Sequence, residues 1–350
     1  MKRVFWTLIG LLLLLTSCDE NAGVEDRLSV GVVYGLSGSA DKSFNEAVKF
    51  AVTGLAAEQR LVYEWREPRD IDEMESFTRE LASDEHDVVL FAGDPAYLEP
   101  VVTDYPEVDF ILVGGELEAP NVRALSFQSG RAAAAVGAVA ALEARGGQLG
   151  FIGGFDDRDA RRVLSGFQQG ARLVNPEVVF HIDFINSADP AAGDPQRARE
   201  LAERQYERGV EVIFAYCGRD IETLATVAAE RDAFIIGSDL NQNWLEKGHV
   251  LTSMMRDVSE AVGESLDAAL NGSFTPGLVR IPPGGEDGLG YFVDETNREL
   301  LPPETRETIE RVLRSMDQGI DEGMDSTPQN DGTTPPGSDT VESTAEAPPA

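Results

Sequence analysis

The chain has 350 residues, 42% hydrophobic and 26% charged, a globular composition with room for two domains. Its 62 Asp and Glu against 29 Lys and Arg give a formal net charge of -33, which excludes charge-driven nucleic-acid binding and argues against a multiply anionic small ligand. Two cysteines and three separated histidines (His86, His181, His249) leave no disulfide framework, no Cys-based zinc site and no HExxH pair, so neither a metal nor a cofactor is expected.

Lys2 and Arg3 precede an apolar run from Val4 to Leu15, too short to span a bilayer but of signal-peptide length. It ends in Leu15-Thr16-Ser17-Cys18, which resembles a bacterial lipobox. Residues 1–17 are therefore expected to be removed and Cys18 to carry lipid, each buried methylene contributing about 0.8 kcal/mol of membrane anchoring. The expected location is the cell membrane, with the protein lipid-anchored and facing the periplasm or exterior. Residues 18–26 read as a tether. Residues 317–350 contain no Lys or Arg and are rich in Pro, Gly, Ser, Thr and acids, so they read as a disordered acidic tail.

Between these ends strands and helices alternate. Leu28–Tyr34 is an apolar strand, and Ser43–Leu55 carries a helical stripe of Phe44, Ala47, Val48, Ala51 and Leu55. A strand at 61–65, a helix at 72–82 and strands at 88–92, 110–113 and 122–127 follow. An Ala-rich helix at 132–144 stops at Gly146-Gly147. The pattern then restarts: strands at 148–152, 178–185, 210–216 and 233–236 alternate with helices at 158–174, 194–208 and 220–230. Such spacing predicts parallel sheets covered on both faces, an α/β architecture of two doubly wound, Rossmann-like domains. Ligands of such sheets bind beyond the carboxyl ends of the strands, so the expected site is a cleft between the two domains. The residues just after the strands contain no GxxxxGK[ST] and no GxGxxG opening a helix.

The same positions carry a resemblance. Leu28–Glu46, LSVGVVYGLSGSADKSFNE, is similar to the opening of the basic membrane protein family of lipoproteins, solute-binding components of ABC transporters typified by purine nucleoside receptors. Further matches keep the family's order: FAGDPA from Phe91, YPEVDF from Tyr105, GFIGG from Gly150, VIF from Val212, IGSD from Ile236 and LTS from Leu251. The resemblance covers about residues 28–293. It implies a type I periplasmic-binding-protein fold with two lobes joined by a hinge, placed at 27–146 plus 256–280 and 147–255 plus 281–316. Periodicity alone gives two consecutive domains. The interleaving comes from the family.

The resemblance also implies a nucleoside, a purine one in the first place, as ligand, with ABC permease and ATPase subunits as partners and a monomeric receptor. A neutral base requires flat apolar faces and a few directional polar groups. On that reading Phe44 is the stacking aromatic, Asn45 an edge-binding amide, and Asp41 and Asp94 ligand-contacting carboxylates. The competing role of Asp41, Asn45 and Asp94 is to cap a helix. Asp239, at a strand end, is the expected acceptor for ribose hydroxyls. Phe214 and Tyr216 share one side of a strand and supply the second stacking face, with Phe155 and Trp244 as further aromatics. Arg256 stands where the family usually has a lysine, positioned to order the site by pairing with Asp239. Gly35, Ala40 and Arg131 depart from the family's acidic pattern, which makes one wall of the site less polar. A sensor or receptor of the same fold for a sugar, amino acid or other metabolite is the alternative. An exported nucleosidase using Asp94 and Asp239 is disfavoured, because no nucleophile–base signature is present and the chain is expected not to be an enzyme.

Overall fold

The computed structural model describes residues 27–320; the expected signal segment 1–17, Cys18, the tether 18–26 and the tail beyond residue 320 lie outside the described residues. In chain order the elements of the first half are β1 (Leu28–Val33), α1 (Phe44–Ala57), β2 (Leu61–Arg66), α2 (Ile71–Ser83), β3 (Val88–Ala92), α3 (Pro95–Asp104), β4 (Asp109–Val113), β5 (Val122–Phe127) and α4 (Ser129–Glu143). The second half adds β6 (Gln148–Gly153), α5 (Arg158–Val174), β7 (Val179–Phe184), α6 (Pro195–Glu207), β8 (Val212–Tyr216), α7 (Ile221–Glu230), β9 (Phe234–Asp239) and β10 (Val250–Met255). The chain then continues through α8 (Val258–Leu270), β11 (Gly277–Ile281) and α9 (Pro303–Ile320).

Among the described residues the strands form two parallel sheets, ordered β2-β1-β3-β4-β5-β11 and β7-β6-β8-β9-β10. Central strands such as β3, VVLFA, are apolar throughout because both of their faces are covered. Edge strands β2 and β7 are partly open to water, with Val62, Glu64 and Trp65 exposed in the first and Val179 and Ile182 in the second. In the first sheet Val30, Val32, Val88 and Leu90 face α1 and α8, while Val33, Val89 and Phe91 face α2 and α3. In both sheets the strand order reverses beside the first strand, at β1/β3 and at β6/β8. That reversal opens a crevice at the carboxyl ends.

α4 corrects the boundary expected at residue 146. This helix is buried along almost its whole length and packs on α5, β8 and β10 of the second sheet, not on the first. Glycines permit the close approach: a Cβ on Gly137 would lie 2.1 Å from the Phe167 carbonyl oxygen, and one on Gly170 would lie 1.9 Å from that of Ala134. The chain therefore changes sheet directly after β5. It crosses back after β10, so that α8 and β11 complete the first sheet, and a third time after β11. The three crossings are tied together by Gln128 N–H to the Ile281 carbonyl (3.0 Å), Gly284 N–H to Met255 (3.1 Å) and Met255 N–H to Gly290 (3.0 Å).

Two helices escape the periodicity reading. α3 holds Pro95 at its start and Pro100 inside it. α9 begins at Pro303, a favourable first-turn position, and buries Ile309, Val312 and Leu313. It continues to Ile320, past the tail boundary expected at Asp317. Among the described residues no helix is long and apolar enough to cross a membrane.

Candidate functional site

The loop after β1 is built around two polar side chains. Asp41 accepts hydrogen bonds from the N–H groups of Ser43 (2.9 Å), Asn45 (3.1 Å) and Glu46 (3.1 Å) and from the Ser37 hydroxyl (2.9 Å). It thus satisfies donors that the start of α1 would otherwise leave unpaired. Burial raises its pKa above the ordinary carboxylate range, against the lowering effect of those hydrogen bonds. Asn45 donates through Nδ2 to Ser37 Oγ (2.9 Å) and to the carbonyls of Gly38 (3.1 Å) and Gly35 (3.2 Å), and accepts from Gly35 N–H (3.1 Å). This loop points Phe44, the first residue of α1, into the crevice, where its ring meets Phe127 edge-on at 6.0 Å. The other flank of Phe44 is Gly114, at φ +97°, where any Cβ would stand 2.9 Å from the ring.

The facing side comes from the second sheet. Tyr216 ends β8 and donates its hydroxyl to Asp159, in the first turn of α5. Burial pushes the phenol pKa well up, so it stays a neutral donor. Asp239 ends β9 with φ +70°, a left-handed conformation for a residue other than glycine, of the kind that a surrounding network must hold in place. Its carboxylate accepts from Arg256 Nε at 2.6 Å and from the Ser43 hydroxyl. Arg256 (4% exposed) also reaches Asp159 at 3.1 Å and Ser129 Oγ at 3.3 Å through Nη1. Its guanidinium carbon lies over two rings, 4.7 Å from the centre of Phe44 and 5.4 Å from that of Tyr216. Burial disfavours this charge, but the Asp239 and Asp159 carboxylates outweigh it, and Arg256 is held protonated.

Together these elements bound a cavity of about 140 Å³ lined by Asp41, Ser43, Phe44, Phe155, Asp157, Tyr216, Cys217, Arg219, Asp220 and Asp239, among others. Burial raises the pKa of Asp157 and Asp220 as well, and that of the Cys217 thiol, which is therefore a poor nucleophile. The rim is latched across the two sheets. Arg219 Nη2 donates to the Ala40 carbonyl (2.9 Å), Gln242 Nε2 to the Lys42 carbonyl (2.7 Å), and Lys42 pairs with Glu222. Such a lining suits a neutral or cationic solute with apolar faces and hydroxyl or amino edges, and repels anions.

Five of the residues singled out by sequence line this cavity: Asp41, Phe44, Phe155, Tyr216 and Asp239. Arg256 touches the same cluster. The structure places the others elsewhere. Asn45 has no N–H left for a ligand, because Nδ2 holds the 35–38 loop and the backbone N–H donates to Asp41. Asp94 is exposed and caps α3 by accepting from Ala96 N–H at 2.9 Å. Phe214 is wholly buried against Phe151 and Phe167, one strand pleat deeper than Tyr216. Trp244 is 62% exposed, its indole donating to the Asn241 carbonyl. Sequence reasoning missed Ser43, Ser129 and Asp159, which join the site only through contacts between distant elements.

The family described as ABC transporter substrate-binding protein PnrA-like matches residues 29–281. Basic membrane protein D of Borreliella burgdorferi is 24% identical over 308 residues, covering 84% of this chain and 87% of its own. An uncharacterized lipoprotein of Pyrococcus abyssi is 23% identical over 309 residues, covering 82% and 76%. Among solved structures, an ABC transporter solute-binding protein from Aeropyrum pernix superposes with a TM-score of 0.69 at 24% identity, covering 83% of this chain and 86% of that one. One from Conexibacter woesei gives 0.63 at 19% identity, covering 84% and 97%. The neighbours share the type I periplasmic-binding-protein fold, and the family match spans most of the sequence. This chain belongs to the PnrA-like, or basic membrane protein, family of ABC transporter substrate-binding proteins.

Proposed function

We propose that the protein is the lipid-anchored receptor of an ABC importer, and that it captures a nucleoside, purine before pyrimidine, in the cleft between its sheets. The observation that supports this reading is the pairing of Phe44 from one side with Tyr216 from the other, beside the Asp239 carboxylate. Two aromatic faces suit a base, and stacking contributes roughly 1–3 kcal/mol per base. A carboxylate at the edge suits vicinal hydroxyls, and the acidic lining disfavours nucleotides. Ligand that touches both sides favours the closed arrangement by bridging it. A thermal-shift screen of nucleosides, bases, sugars and amino acids tests the proposal: at a hundredfold excess over the dissociation constant, the right class stabilises by about 2.7 kcal/mol. Phe44→Ala is expected to weaken nucleoside binding at least roughly tenfold in titration calorimetry. Unchanged affinity would remove the ring from the site.

A second reading has one specific support. The cavity of about 140 Å³ is small beside the roughly 300–1,000 Å³ of sites for drug-sized ligands. A monosaccharide or polyol suits that volume, and the same screen separates the two readings. For the anchor, Cys18→Ser is expected to move the protein from the detergent phase to the aqueous phase in detergent partitioning. Retention in the detergent phase would refute lipidation at Cys18.

A further inference from the structure

Arg256 is placed where a simple salt bridge has no reason to be. Its ion pairs with Asp239 and Asp159 are both to the second sheet, yet its guanidinium also lies against Phe44, which α1 brings from the first. Arg256 directly follows β10, at the second crossing between the sheets, and its bond to Ser129 reaches the first crossing. Nε and Nη1 are tied to carboxylates and a hydroxyl, while Nη2 has no hydrogen-bond partner among the described residues. The group is flat, delocalised and weakly hydrated, the features that let a guanidinium stack on aromatic faces as a heterocycle does.

We infer that Arg256 is a specificity-determining residue that fills the aromatic clamp from within: its guanidinium covers the faces of Phe44 and Tyr216 that a planar solute requires, and such a solute binds by displacing it. Apparent affinity then reflects a competition between ligand and side chain. Solutes that stack weakly lose that competition, so a sugar or amino acid that merely fits the volume does not open the clamp. The displaced arginine stays tethered through Nε to Asp239, which keeps its charge paired while the rings are freed. This inference rests on the nucleoside reading for its ligand but not for its test.

Two probes separate the ideas: methylguanidinium, which replaces the side-chain head alone, and the nucleoside that performs best in the screen. In Arg256→Ala, methylguanidinium at millimolar concentration is expected to raise the melting temperature and to compete with nucleoside, and to do neither in the unaltered protein. Nucleoside affinity is expected to rise roughly tenfold in the variant, the scale of one desolvated cation–π contact. If folded Arg256→Ala ignores methylguanidinium, or responds as the unaltered protein does, the clamp-filling role is wrong. Weaker nucleoside binding by the variant also overturns it, because Arg256 would then be a ligand contact. If methylguanidinium binds only the variant and no nucleoside binds either protein, the inference stands and the nucleoside reading falls. Should Arg256→Ala fail to fold, Arg256→Ala with Asp239→Asn, which removes the stranded carboxylate, takes its place in every measurement.

Discussion

The two walls of the cleft are built on different principles. The wall after β1 is largely self-contained: Asp41 and Asn45 direct their hydrogen bonds to their own loop and the start of α1, while Ser43, Phe44 and the rim residues Ala40 and Lys42 reach across. The facing wall is stitched from distant parts, with Asp159, Tyr216, Asp239 and Arg256 holding one another across α5, β8, β9 and the crossing after β10. A motif dense with polar residues is thus mostly scaffold. The groups free to meet a solute are scattered single residues at strand ends. The difference predicts that damage to the first wall stays local, whereas damage to the second strands a charge.

Asp239→Ala makes the larger break. It leaves the buried Arg256 with Asp159 as its one carboxylate partner among the described residues, and removing one partner of a buried pair costs about 3–5 kcal/mol. Chemical denaturation should show that loss, whereas Asp239→Asn should be milder because it keeps an acceptor for Arg256 Nε. A loss below about 1 kcal/mol for the alanine variant, the level of an exposed pair, would mean that the network is not closed from water. Asn45→Ala comes next. It leaves the Gly35 N–H and three acceptors in the 35–38 loop without their partner, an expected cost of about 1–3 kcal/mol. Hydrogen exchange should accelerate at residues 35–38 and leave Tyr216 and Asp239 protected. Loosening on both walls would erase the distinction.

The alternation of apolar strands and amphipathic helices was legible because central parallel strands such as β3 must be apolar on both faces. What failed had physical causes. Pro100 hid α3, since proline inside a helix removes a backbone donor and usually breaks the pattern. α4 gave no sign of its sheet because an alanine helix buried on all sides has no distinct polar face. Its spaced glycines, facing those of α5, were the available signal. At the site, Tyr216 and Asp239 were readable as strand-end residues. Asn45 and Asp94 were misplaced because an amide or carboxylate near a helix start serves equally as a cap, and sequence does not separate the two uses. Asp159 sits in the first turn of α5, where an acid already suits the helix dipole. Nothing local marks its pairing with Arg256.

The smallest expected effect concerns the buried carboxylates, and it sharpens the contrast between the walls. Burial raises the pKa values of Asp41 on one side and of Asp157 and Asp220 on the other. A folded state with raised carboxyl pKa values binds protons more readily than the unfolded chain, so stability is lost as pH rises through them and regained as pH falls toward about 4, the ordinary carboxylate value. The melting temperature should therefore rise as pH falls from neutral toward that value. Opposing contributions from Glu73, Glu80 and Glu230, lowered by arginine partners, come from exposed pairs and are weak. Among the described residues Asp220 accepts from the Asp194 N–H alone, a role that an amide oxygen can fill. Asp220→Asn should thus raise the melting temperature at pH 8 and flatten the slope. Asp41→Asn should lower it at every pH, because an amide cannot accept the four donors that the carboxylate gathers. If both variants shift the melting temperature in the same direction at pH 8, the two walls do not differ in how they hold their acids.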